Sequence, residues 1–520
     1  MDDALNDGRM QMFPLLRVAV MVVCGIVCGL AMSGDMHVTA WGVATAAAIL
    51  SAVAFHGHSV AQSVIIHAAA FAAGGFLAAC ELNRINVLEG DRTAEYEAVV
   101  VSSPVEYGKT IGCDIIITTT PRPVRARAYF YKDERARLLD VGSGVRATST
   151  LHPSYIRDGK EKEKAGGGKG GNFNFPLYLI SHGFSATTFV SSWNWQGTAI
   201  DIRRLSLMQR TRLRALTLRR HLLEQYSSWG FQGQTLAVLS ALTLGDKSML
   251  SRQTRDEYST AGVSHILALS GMHLTIIYAI LATLAGRYRR KLAAELFITC
   301  SIWAFVFITG MSTSVTRAAL MITVYAFCDM LNSGRTPLNT LSFAALAILV
   351  ASPLSLYDVG FQLSFMAMLT IGLFFPMLRS ATPRLITRFK LTDFMVSAIL
   401  LSISAQIGTF PLVAYYFGET PLYSLVANII VAFGATAILY GAAFFFLCTP
   451  LPFIRTYITN GLAYTAECMN AAIAHIASLP AANILNFEPS AAQTALIYVI
   501  VFAAWRLTTL LRDLFAKEKV

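Results

Sequence analysis

The chain has 520 residues, 54% of them hydrophobic and only 14% charged, with a formal net charge of +11. Soluble domains carry roughly 25% charged residues, so a soluble globular protein is excluded as the main class, and the length exceeds one ordinary domain. Apolar runs of about 18 residues or more, enough to cross a bilayer, recur from end to end and predict a polytopic α-helical membrane protein.

In chain order, the runs predict spans near 14–34, 38–55, 60–80, 263–285, 291–310, 313–333, 336–352, 358–378, 394–416, 421–448, 457–479 and 490–508. The eleventh is the most diluted, by Asn460, Glu467, Asn470 and His475. The first is expected to be retained rather than cleaved as a signal peptide. Asp2, Asp3 and Asp7 precede it, and two further spans follow at once. Gly25 and Gly29 form a GxxxG step, a pattern that lets two helix backbones approach closely. Most cysteines lie inside spans, where they behave as small apolar residues. No CxxC pair occurs, so neither a metal site nor a disulfide framework is expected.

Orientation follows from loop charge. GRYRRK at 286–291, Arg335, Arg379, Arg384, Arg388, Lys390, Arg455 and the basic C-terminus all fall on one side if the spans alternate. The positive-inside rule makes that side the cytoplasm. Both termini are then cytoplasmic in a bacterial inner membrane, and the 81–231 segment is extracytoplasmic.

Five domains are expected: three helices in 1–83, a β domain in 84–200, a basic helix in 201–231, a helical membrane domain in 232–512 and a tail in 513–520. EYEAVVVSSPVE, CDIIITTT, RARAYFYKD and GVRATSTL are short β-branched or aromatic runs between turn signals. They predict about five strands in a small OB-like barrel. The Gly-rich KEKEKAGGGKGGN at 160–172 lacks P-loop spacing and reads as a linker. Residues 201–231 carry Arg203, Arg204, Arg210, Arg212, Arg214, Arg219 and Arg220 against two acidic groups. Two compatible expectations follow: an amphipathic helix lying on anionic lipid, or a basic collar that attracts a polyanion near a pore mouth.

The most informative stretch is AGVSHILALSGMHLTIIYAI at 261–280, where His265, Ser270, Gly271 and His273 interrupt an apolar run. Polar groups at membrane depth must face protein or water. Enzyme motifs fail here. Ser270 lacks the flanking glycine of a nucleophile elbow, His265 and His273 lack HExxH spacing, and no Walker motif occurs. His56-Gly57-His58 starts like a metallo-β-lactamase signature, but Val60 and Ala61 stand where its Asp and His belong. The expectation is a conduit, neither an enzyme nor a cofactor or metal protein.

The second half resembles the ComEC family of competence proteins. The resemblance is carried by ALTLGDK from Ala241 through Asp246, GVSHILALSGMH from Gly262 to His273, and GMSTSVTRAALM from Gly310 through Arg317. GFQLSF from Gly360, SAQIGTFP from Ser404 to Pro411, and Ala427-Asn428 continue it in the family's order over about 236–432. The three N-terminal spans and the β domain match more by layout than by motif. After Asn428 the chain reads IIVAFGA, where a proline is expected. The resemblance implies an inner-membrane channel that admits one strand of transforming DNA. It also implies membrane lipids and a periplasmic DNA receptor as partners. The sequence ends at 520, soon after the last span, so the metallo-β-lactamase-like domain of long members is not expected in it. A separate nuclease and a cytoplasmic ATP-driven motor would then be needed, and a homo-oligomer stays open.

On that resemblance the expected DNA path runs through Asp246, His265, Ser270, His273, Arg317, Gln362, Gln406 and Asn428. Arg317 would lie roughly 7–8 Å below the outer surface at helical rise. It either meets phosphates in an outer vestibule or pairs with Asp358, which starts its own span on the same side. Ser270-Gly271 is either a helix break framing a transport site or a stretch that buries a bonded histidine. Gln362, Gln406 and Asn428 are interhelical glue or pore lining. Two other classes stay open: a secondary transporter of small anionic solutes, and a membrane-anchored binding or scaffold module.

Overall fold

The computed structural model describes residues 14–32, 38–55, 59–85, 90–120, 123–154, 172–200, 205–286, 291–330, 337–383, 388–447, 452–485 and 487–517. They fall into two compact units. One comprises 1–165, 174–217 and 319–361; the other comprises 166–173, 218–318 and 362–520.

In the first unit, α1 (Pro14–Ala31), α2 (Val38–Ala54) and α3 (Ser59–Ile85) are apolar helices with α3 packed on both others. Glycine makes the α1–α3 crossing possible. A Cβ on Gly25 would lie 1.9 Å from the Phe71 carbonyl oxygen, and one on Gly74 would lie 2.3 Å from that of Val22. In lipid, where apolar burial drives little, such close backbone approach specifies which helices meet. Helix α3 runs to Ile85, so residues 84–85 are helical rather than part of the β domain.

The β domain contains seven strands: β1 (Arg92–Val100), β2 (Val105–Tyr107), β3 (Thr110–Ile117), β4 (Val124–Tyr131), β5 (Gly144–Pro153), β6 (Ala186–Val190) and β7 (Trp195–Gly197). Five close a barrel in the order β1-β3-β4-β6-β5 and back to β1. Among the described strands, only β4 and β6 pair in parallel. The additional strands β2 and β7 are three-residue pieces on β3 and β5. Period-two patterning builds the interior: inward Ala126, Ala128 and Phe130 of β4 alternate with outward Arg125, Arg127 and Tyr129. Tyr96, Ile111, Cys113, Ile115 and Trp195 fill the barrel, with Phe130 edge-on to Trp195 at 5.4 Å. On the outside, Asp114 accepts from both Arg125 and Arg127. Short helices α4 (Glu134–Arg137) and α5 (Phe175–Ser181) are capped by Asp133 and Asn174.

The basic segment forms α6 (Leu207–Ser228). Beyond it, α7 (Gly233–Leu244) buries nine consecutive residues from Leu236 to Leu244. A helix buried on every side lacks an amphipathic stripe, and at 12 residues it is too short to stand out as a span. Next come α8 (Arg252–Thr260), α9 (Ser264–Leu267), α10 (Gly271–Ala285), α11 (Lys291–Ile308), α12 (Thr313–Met330) and α13 (Pro337–Ala351). A 3₁₀ turn at Pro353–Tyr357 leads into α14 (Val359–Ala381), then α15 (Lys390–Phe417), α16 (Ser424–Leu447), α17 (Pro452–Ala477) and α18 (Ala491–Lys517). Strands β8 (Glu419–Pro421) and β9 (Asn483–Leu485) pair antiparallel between these last helices.

Among the described residues, six helices are long and apolar enough to cross a membrane: α1, α3, α14, α15, α16 and α18. Six more, α2, α7, α10, α11, α12 and α13, are shorter apolar helices. The chain is a multi-pass helical membrane protein. The diluted eleventh span is the 26-residue α17, which belongs to neither set.

Candidate functional site

In the second unit the chain is interrupted at 268–270. Between α9 and α10 the chain is extended at Ala268 and Ser270. The predicted 263–285 span is therefore a broken helix. Ser270 and His273 close the break as a capping box. The Ser270 N–H donates to His273 Nδ1 at 3.3 Å, and the Ser270 hydroxyl lies 3.0 Å from the same nitrogen. With Nδ1 accepting, the imidazole proton is assigned to Nε2. His273 is completely buried, and its Nε2 has no hydrogen-bond partner among the described residues. His265, on the short α9, is exposed.

Glycines let neighbouring segments close on this break. Gly245 (φ +74°) ends α7 where a Cβ would strike Leu269 at 2.7 Å, and Gly262 (φ +78°) abuts Pro421 and Ser424. A Cβ on Gly271 would sit 3.6 Å from the Ala318 Cβ, so the start of α10 packs on the start of α12.

Arg317, one residue before that contact, is 5% exposed. Its Nη2 donates to Ser314 Oγ at 3.1 Å on its own helix and to Ser364 Oγ at 3.2 Å on α14. Asp358 accepts from the Gly360 N–H at the start of α14 at 3.1 Å. The turn entering α12 holds Gly310 and Met311 at positive φ, 82° and 56°. A non-glycine residue there stores strain, as segments at functional sites often do.

Two of the three amides are bonded across helices, and the third within its own. Gln362 accepts from the Tyr416 hydroxyl at 2.9 Å. Ser402 Oγ accepts from Gln406 at 3.4 Å and from Asn428 at 3.2 Å, so one hydroxyl joins two of the predicted positions. Asn428 Oδ1 is buried with no partner among the described residues. Ser314 and Ser402 were legible as candidates, standing three and four residues before Arg317 and Gln406 on one helix face. Ser364 and Tyr416 reach their partners only through tertiary packing.

One predicted grouping needs correction. Arg219 does not belong to an exposed collar. It is 7% exposed, its Nη2 lies 3.6 Å from Asp246 Oδ2, and its Nη1 donates to the Thr309 carbonyl at 3.4 Å. Burial pulls its guanidinium below the ordinary value, with Asp246 opposing. Asp246 is equally buried and also accepts from the Ser248 N–H at 2.8 Å, so its carboxylate makes internal contacts. The other arginines differ among themselves. Arg210 donates to the Leu205 carbonyl, Arg220 pairs with Glu224, Arg214 is exposed and Arg212 half-buried. Arg203 and Arg204 lie outside the described residues, as do His56, Gly57 and His58. No three His, Cys, Asp or Glu side chains converge as a metal site among the described residues.

The profile of the competence protein family matches residues 242–510, more than half of the chain. The chain belongs to the competence protein family. All eight predicted path residues, Asp246 through Asn428, fall within the family region. Among curated relatives, ComE operon protein 3 of Bacillus subtilis is 26% identical over 356 residues, covering 67% of this chain and 42% of the relative. Competence protein ComA of Neisseria gonorrhoeae is 26% identical over 203 residues, 37% of this chain and 28% of the relative. An uncharacterized protein of Aquifex aeolicus is 24% identical over 247 residues, 46% and 52% respectively. The chain thus spans less than half the length of the two named competence relatives. No solved structure matches.

Proposed function

We propose that the chain is an inner-membrane channel through which a single DNA strand enters the cytoplasm during natural competence. The observation that carries this reading is Arg317. It is a guanidinium held by two serine hydroxyls in the first turns of α12, beside the broken helix at Ser270–Gly271. A guanidinium stays protonated at any physiological pH and suits phosphate geometry. A translocated strand needs such cationic and hydrogen-bonding groups, spaced thinly enough that it moves on. Ser402 with Gln406 and Asn428, and Tyr416 with Gln362, supply neutral polar groups of that kind on α14, α15 and α16.

Loop charge supports cytoplasmic termini and an extracytoplasmic barrel. The closed five-strand barrel with one parallel pair supports an OB-like description. We read the chain as a passive conduit, not an enzyme. Directional entry then calls for a periplasmic receptor, a nuclease and a cytoplasmic ATP-driven motor as separate proteins.

The test is uptake of labelled DNA into the cytoplasm of a naturally transformable host that carries the gene, lacks it, or carries an Arg317→Glu form. Entry should disappear on deletion and fall steeply for R317E at equal membrane level. Undiminished transformation after deletion, with recombination intact, would remove the channel reading. A small-anion transporter would instead show anion flux in vesicles without DNA entry.

A further inference from the structure

Two long helices of the membrane domain carry an interior proline, Pro376 in α14 and Pro411 in α15. A proline lacks the N–H that would bond the carbonyl four residues back, and its ring pushes that turn open. In a bilayer the loosened carbonyls have no water to accept from, so a neighbouring helix must satisfy them.

Those carbonyls are Gly372 and Ile407. The next ones, Leu373 and Gly408, would accept from the N–H groups just past each proline, where the ring opens the turn. Both of these are met by the same helix in the same way. The Tyr498 hydroxyl on α18 donates to the Gly408 carbonyl at 2.6 Å, three residues before Pro411. The Trp505 indole N–H on α18 donates to the Leu373 carbonyl at 3.2 Å, three residues before Pro376. Thr508, three residues further along α18, lies against the same region. Thr508 Oγ1 lies 3.3 Å from Met377 Sδ, directly after Pro376. Tyr498 and Trp505 are seven residues apart, two helical turns, and therefore share one face.

Little else holds α18. Only 6% of its span is buried, against 17–33% for the other five long apolar helices. Leu496, Val499, Ile500, Leu507 and Leu514 on its remaining surface are 58–64% exposed. The two proline-containing helices approach each other closely at one point. A Cβ on Gly408 would lie 2.4 Å from Thr370 Oγ1 and 2.7 Å from the Met366 carbonyl oxygen. Tyr498 therefore bonds α15 at the point where α14 and α15 are in backbone contact.

We infer that α18 is a brace whose two side-chain donors set the bends of α14 and α15. Tyr498 and Trp505 are accordingly positioning residues for transport. The bends aim the helix halves that carry Ser364 and Gln362 on α14, and Ser402, Gln406 and Tyr416 on α15. Tyr498 and Trp505 act on cargo only through those halves. The statement about transport rests on the channel reading above; the statement about the bends does not.

The test uses the full-length chain in lipid nanodiscs, with native cysteines replaced. Spin labels at Leu401 and Phe417 span Pro411, and labels at Met368 and Ser380 span Pro376; all four positions are exposed. Tyr498→Phe, which removes only the donor, should broaden the 401–417 distance distribution and leave 368–380 unchanged. Trp505→Phe should do the reverse. Pro411→Ala restores the N–H, so it should lengthen the 401–417 distance by itself and make Y498F silent when the two are combined, whereas P376A should not. That selective coupling is what a double-mutant cycle isolates, and generic loosening would not produce it. DNA entry should fall roughly threefold for each phenylalanine variant, the equilibrium factor of one average intramembrane hydrogen bond. Unchanged distances in Y498F and W505F, or equal broadening by Y498F with and without Pro411, would overturn the brace. If either phenylalanine variant does not fold, the P411A and P376A distances decide: no lengthening overturns it. Failure of the channel reading appears separately, as absence of DNA entry in the unaltered protein.

Discussion

Arg219 of α6 and Asp246 of the loop after α7 face each other at 3.6 Å, both buried, and Arg219 reaches on to the Thr309 carbonyl at the end of α11. One guanidinium in the middle of α6 thus ties together the ends of α7 and α11. A buried pair adds little over an apolar replacement, but leaving one partner alone is expensive. Arg219→Ala or Asp246→Asn should therefore lower stability by about 3–5 kcal/mol, read as thermal unfolding in detergent. The double change R219M/D246L should recover most of the loss. Single variants that melt like the parent would show that the pair is not holding those ends.

Glycine positions in the helices should separate cleanly. Gly25→Ala places a methyl 1.9 Å from the Phe71 carbonyl oxygen, so α1 and α3 must part. Overpacking of this kind costs about 1–3 kcal/mol or more. Gly461→Ala, inside α17, meets nothing within 4 Å and should be neutral or stabilising by up to about 1 kcal/mol. The two variants compared for membrane level and melting temperature test the crossing.

The barrel interior predicts a silent thiol. Burial, with the Asp114 carboxylate adding to it, pushes the Cys113 thiol up to about 12. An unfolded cysteine ionises near 8.5. Between those values the unfolded chain releases a proton that the folded barrel keeps, so stability falls as pH rises from about 8.5 towards 12. Maleimide labelling at pH 8 should miss Cys113 in the folded protein and reach it after denaturation, with mass spectrometry locating the label. Rapid labelling under native conditions is the contrary outcome.

Charge at Arg317 should matter more than its hydrogen bonds. Arg317→Glu should reduce DNA entry by at least roughly tenfold, the scale of losing charge-assisted bonds. Arg317→Lys keeps the charge without the fork that reaches Ser314 and Ser364 together, and should fall between the two. Uptake assays at matched membrane levels give the ranking.

Ser402 is a small residue with two dependants. Ser402→Ala leaves the amides of Gln406 and Asn428 each short of a partner, and orphaned buried polar groups cost about 1–3 kcal/mol. Ser342→Ala is the control. That buried hydroxyl bonds only its own helix carbonyl, at Leu338, and should change melting far less.

The helices were legible in the chain because lipid requires long uninterrupted apolar runs, and every expected span contains a helix. The break at Ser270–Gly271 was legible for a local reason too, since serine followed by glycine and a side-chain acceptor three residues on is a capping signal. Helix α7 was not, because GQTLAVLSALTL is too short for a span and buried on all faces. The strands β2 and β7 were also hidden, because three residues cannot show a period of two.

The sequence by itself determined that this is a helical membrane protein with a β domain between its third and fourth predicted spans. It also supplied, through ordered motifs, the competence family and the polar residues worth watching. Those properties are local: they depend on hydropathy over one turn or one span, or on residues within a few positions of one another. Only the tertiary structure decided which polar group meets which. Asp246 turned out to face Arg219, Ser402 to join Gln406 with Asn428, and Tyr498 and Trp505 to serve prolines on two other helices. Tyr498 and Trp505 lie 90 and 132 residues from the carbonyls they bond. No periodicity spans such a distance, and in lipid it is the need to satisfy each polar group, rather than hydrophobic burial, that selects the partner.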